Sequence, residues 1–113
     1  MSIQQLTQFD FHHRLAETAG LSLVWFSAPA CGACRQLKQL FATQPEAFSR
    51  LQLFEVDAGQ EMALTREFEV FHLPALFLFR DGHYHAPIHA EPRVESLLAA
   101  IETALANAPQ EAP

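Results

Sequence analysis

The chain has 113 residues, of which 50% are hydrophobic and 18% charged, a balance that excludes disordered, collagen-like and coiled-coil classes and suits one compact domain. Seven Lys and Arg against thirteen Asp and Glu give a formal net charge of −6. With no basic cluster to grip phosphate backbones, nucleic acid is not an expected partner. The longest apolar runs, such as Leu73 to Phe79, are less than half of a bilayer span, so no membrane partner is expected either.

Met1 to Gln5 lack the basic segment and apolar stretch of a secretory signal, and a cytoplasmic location is expected. Thr7 with Asp10 three positions on resembles a capping box, opening a first helix to about Thr18 that Gly20 ends. Leu21 to Phe26 is a short, nearly continuous apolar run, the pattern of a strand covered on both faces. Cys31 opens a second helix, with apolar Cys34, Leu37, Leu40 and Phe41 recurring at three and four. Pro45 ends it or restarts it for one turn through Phe48.

Leu51 to Val56 reads as a second buried strand and Gln60 to Phe68 as a third helix. Leu76 to Phe79 is another strand, and Asp81-Gly82 is a hairpin signal leading into Tyr84 to Ile88. Val94, Leu97, Leu98, Ile101 and Leu105 make one apolar helical stripe. This order predicts an α/β domain over 1–107, a central mixed sheet with helices on both faces, followed by a flexible tail at 108–113. A monomer is expected.

The chemistry concentrates in Phe26-Ser27-Ala28-Pro29-Ala30-Cys31-Gly32-Ala33-Cys34. These two cysteines are the only ones, and a lone pair cannot build the disulfide framework of a small secreted domain. Such a pair is redox-active or metal-binding. Zinc needs four ligands and no second pair exists, so redox chemistry is favoured and no metal is expected. At a helix N-terminus, unpaired N–H groups and the dipole favour a thiolate, the form that attacks disulfides. Small Gly32 and Ala33 leave Cys31 open to another chain, and Cys34 is one turn inside.

Four landmarks extend this pattern. The CxxC follows a buried strand, Leu53-Phe54-Glu55-Val56-Asp57 forms an acidic-ended strand, Phe71-His72-Leu73-Pro74-Ala75 carries a proline before the next strand, and Phe79-Arg80-Asp81-Gly82 closes it with a hairpin. In these features the chain resembles the thioredoxin family over nearly its whole length. The resemblance implies a thioredoxin fold and a thiol–disulfide oxidoreductase that exchanges disulfides with protein substrates. It needs no cofactor and is recharged by an upstream thiol or reductase donor. Cys31 is then the nucleophile and Cys34 the resolving thiol. Pro74 is the cis-proline beside the disulfide, the backbone at Leu73 pairs with an extended substrate, and His72 lies near Cys31.

Three departures support a rival reading, a binding module whose cysteine pair is vestigial or regulatory. Ala30 and Ala33 stand where thioredoxins have Trp and Pro, and Trp25 replaces the buried Asp six residues before the first cysteine. Glu55 occupies the place of a lysine usual on the neighbouring strand. Leu53, Glu55 and Asp57 share one side of that strand, which the resemblance points toward the cysteine-bearing helix. Glu55 is therefore a candidate proton carrier for Cys34, with His72 as the competitor and a solvated sheet edge as the plain alternative. His83 and His85 are expected on a solvated strand face.

Overall fold

The computed structural model describes residues 3–113. It comprises β1 (Ile3–Gln5), α1 (Phe11–Ala16), β2 (Leu21–Ser27), α2 (Gly32–Thr43), β3 (Leu51–Asp57), α3 (Met62–Glu67), β4 (Ala75–Arg80), β5 (His83–Ile88) and α4 (Val94–Leu105). A 3₁₀ turn over Pro45–Phe48 follows α2, with Pro45 in its first turn, where a missing N–H costs nothing. The sheet runs β1-β3-β2-β4-β5. β1 and β2 lie parallel to β3, whereas β2–β4 and β4–β5 are antiparallel. The expected mixed sheet is present.

Alternation along β2 feeds two cores. Leu23 and Trp25 face α2 and α4, packing with Leu37, Phe41, Leu97 and Ile101. Val24 and Phe26 face α1 and α3, packing with Phe11, Leu15, Leu64 and Phe68. Each such side chain contributes about 1.5–3 kcal/mol when fully buried. Coverage on both faces explains why β2 reads as a continuous apolar run rather than an alternating one.

Several elements differ from the sequence expectation. β1 has no apolar alternation to announce it, being three residues with two glutamines. α1 begins at Phe11 rather than Thr7. The Asp10 carboxyl accepts from the Thr7 backbone N–H (2.7 Å) and hydroxyl (3.1 Å), closing a turn ahead of the helix. That backbone donor holds the carboxyl below its usual pKa. A bulge opposite Leu78/Phe79 sets Leu78 against Ala86 and Phe79 against Tyr84, leaving His85 without a partner in the ladder. The solvated-face reading fails for His85, which is 4% exposed, its Nε2 2.7 Å from the Ala104 carbonyl at the end of α4. His83 is exposed as expected. In the 108–113 segment, the Gln110 N–H donates to the His85 carbonyl (2.7 Å).

The Asp81-Gly82 hairpin has positive φ at both residues, the signature of a type I′ turn. A Cβ on Gly82 would lie 2.7 Å from the Leu15 carbonyl oxygen and 2.9 Å from Ala16 Cα, so the turn presses directly on the end of α1. Gly82→Ala combines that backbone clash with a strained φ of +82°. Chemical denaturation should show a loss of about 1–3 kcal/mol. An unchanged midpoint would mean that the hairpin is not seated on α1.

Candidate active site

β2 delivers the cysteine pair to the start of α2. Cys31 is the N-cap, extended at φ −91° and ψ 110°, and its Sγ accepts from the Cys34 backbone N–H at 3.1 Å. The sulfur thus sits where a capping oxygen normally satisfies a free helix donor. Cys31 and Cys34 are joined as a disulfide with Cα atoms 5.2 Å apart. Cys31 is partly exposed, Gly32 and Ala33 are exposed, and Cys34 is only 3% exposed. The two sulfurs therefore differ in access.

The Leu73–Pro74 peptide bond is cis. Pro74 and Ala33 line one hollow of about 270 Å³ with Leu37, Leu76 and Ile88, so the proline and the first turn of α2 border the same space. Leu73 is half-buried between the two cores. His72 is exposed and lines a second hollow with Phe71 and His89, which Pro74 also borders and the cysteines do not.

Cys34 borders a separate cavity of about 340 Å³ whose walls include Gln5, Ser27, Lys38, Glu55 and Asp57. Glu55 is 7% exposed, so it does not lie at a solvated edge. β1 covers that edge, with Gln5 in register with Glu55. Three donors meet the carboxyl: Gln5 Nε2 at 2.7 Å, Ser27 Oγ at 2.6 Å and Lys38 Nζ at 3.4 Å. A buried carboxylate needs such partners, because desolvation without them costs several kcal/mol.

Ser27, Lys38 and Gln5 were not singled out by the sequence reading. Lys38 was findable, being four residues after Cys34 and so on the same helix face. Gln5 was not, since nothing marks β1. Among the described residues, no group of three or more His, Cys, Asp or Glu side chains is placed to hold a metal ion.

A mixed sheet with a CxxC disulfide opening the helix after a central strand, and a cis-proline leading into the next, defines a dithiol–disulfide domain. The sequence profile of the Thioredoxin family matches residues 2–103, and the chain belongs to that family. It is 32% identical over 96 residues to a probable protein disulfide-isomerase ER-60 of Schistosoma mansoni, covering 78% of this chain and 20% of that protein. It is 31% identical over 81 residues to chloroplastic thioredoxin X of Arabidopsis thaliana, covering 71% of this chain and 44% of that one. The chain thus spans about a fifth of the disulfide-isomerase relative and less than half of the thioredoxin. Thioredoxin f2 of Chlamydomonas reinhardtii shares the fold at a TM-score of 0.77 and 18% identity, over 90% of this chain and 95% of that one.

Unequal access to the two sulfurs has a direct readout. In the reduced protein near neutral pH, iodoacetamide should alkylate Cys31 much faster than Cys34, followed by peptide mass spectrometry. Equal rates, or faster labelling of Cys34, would remove the basis for treating Cys31 as the attacking thiol.

Proposed function

We propose that the protein is a thiol–disulfide oxidoreductase acting on protein disulfides, with Cys31 as nucleophile and Cys34 as resolving thiol. The observation that carries this reading is the Cys31–Cys34 pair at the N-terminus of α2 in a thioredoxin-family chain. Cys31 Sγ attacks a substrate disulfide, forming a mixed disulfide and releasing one substrate sulfur as thiolate. Cys34 then attacks Cys31 Sγ, the second substrate sulfur leaves, and the chain keeps its internal disulfide. The substrate is reduced by two electrons and the dithiol is oxidised. An upstream thiol or reductase donor restores the dithiol. Gly32 and Ala33 leave room for the substrate, Leu73 offers backbone beside cis-Pro74, and His72 stands at the rim of that loop. The protein works as a monomer in the cytoplasm, where a single redox pair and no structural disulfide suit a reducing environment.

Glu55 is the proton acceptor for Cys34 in this reading. It lines the same cavity as Cys34 and is the one buried carboxyl among the described residues. Positioned proton transfer of this kind contributes roughly 10²–10⁴ in rate.

Two experiments test the proposal together. Cys34→Ser should accumulate mixed disulfides with protein partners that Cys31→Ser does not form, and equal capture by both variants would favour the binding-module reading. Glu55→Gln should slow resolution while leaving the first attack intact, and His72→Ala should do the reverse. A resolution rate and pH profile unchanged in Glu55→Gln would remove Glu55 from the mechanism.

A further inference from the structure

Ser27 closes β2, two residues after Trp25 and four before Cys31. Its side chain is 6% exposed, and its hydroxyl donates to Glu55 Oε2 at 2.6 Å. A hydroxyl has one proton to give and two lone pairs with which to accept. Among the described residues no protein donor meets the Ser27 oxygen, so its accepting side is open. The cavity it borders is also bordered by Cys34. The other oxygen of the carboxyl, Oε1, is taken up by Gln5 and Lys38, which leaves Oε2 with Ser27 alone.

From this arrangement we propose that Ser27 is a positioning residue that links Glu55 to the resolving thiol. The proposal rests on the reading of Glu55 as proton acceptor. During resolution the Cys34 thiol loses its proton toward the Ser27 oxygen, directly or through a water held in the cavity. The Ser27 hydroxyl proton passes to Glu55 Oε2. Cys34 Sγ bonds to Cys31 Sγ, the bond between Cys31 and the substrate sulfur breaks, and that sulfur leaves as thiolate. One proton ends on Glu55, and Ser27 is regenerated with a proton on its oxygen. Lys38 and Arg35 from α2 and Asp57 from β3 are the charged groups facing the same cavity, and they act alike on every variant at position 27.

Reaction of the reduced protein with 5,5′-dithiobis(2-nitrobenzoate) separates the two steps, because attack and resolution each release one coloured thiolate. Ser27→Ala should slow the second release by roughly tenfold or more, within what positioned proton transfer supplies, and leave the first unchanged. Ser27→Thr keeps the hydroxyl and should retain the fast second phase, whereas Ser27→Val, of the same shape, should stay slow. The pH profile of the second phase should follow Glu55→Gln in both Ala and Val variants. A wild-type second phase in Ser27→Ala alongside a slow Glu55→Gln would overturn the role of Ser27 and leave Glu55 standing. A normal second phase in Glu55→Gln would overturn both. Equal rates for Thr and Val would reduce Ser27 to packing and overturn the proposal.

Discussion

The parallel pairing of β2 with β3 determines where every part of the site lies. Parallel strands end at the same edge of a sheet, so the loop that carries Cys31 leaves β2 where β3 presents its last residues. The register sets Trp25 against Glu55 and Ser27 against Asp57. Cys31 follows as the N-cap of α2, and α2 then folds back over the face that Trp25 and Glu55 share. β4 joins the other side of β2 in the opposite direction, which places its first residue, just after cis-Pro74, at that same edge. Cysteine pair, proline and carboxyl meet because of strand direction.

A carboxyl in this position must be supplied with donors. Gln5 comes from β1, Ser27 from β2 and Lys38 from α2, so three elements distant in sequence converge on Glu55. Lys38 remains largely exposed, and its pairing at 3.4 Å is worth little by itself. The two neutral donors, buried Ser27 and exposed Gln5 on β1, hold the carboxyl in place. The same donors line, with the acid, the cavity that Cys34 borders, while Cys31 remains partly exposed. The difference in access between the two sulfurs, Cys31 partly exposed and Cys34 buried, arises within one helix turn.

The parts of this arrangement that were legible in the sequence are those with a strong local signal. The apolar run of β2, the helical stripe of α4 and the Asp81-Gly82 turn each carry their own periodicity or turn chemistry, and they stand where expected. The cysteine spacing came through both as chemistry and as a family pattern, and Pro74 as a family pattern alone. What was not legible depends on tertiary pairing. β1 is too short and polar to read, yet it turns Glu55 from an edge residue into a buried one. The bulge in β5, which no residue type announces, sends His85 inward. Ser27 lay just past the expected end of β2 at Phe26, and its surroundings depend on what β3 sets opposite and beside it.

Ala30, Ala33 and Trp25 depart from the usual thioredoxin residues, and the reading above holds that the dithiol is nonetheless competent. Single-turnover reduction of a protein disulfide tests this most directly. The pre-reduced chain is mixed with excess insulin, and both the substrate thiols formed and the mass of the chain are measured. The account predicts that each chain reduces one substrate disulfide and loses two hydrogens as Cys31 and Cys34 join, with Cys31→Ser inert. A wild-type chain that reduces nothing, or a Cys31→Ser chain that reduces as much, would contradict it.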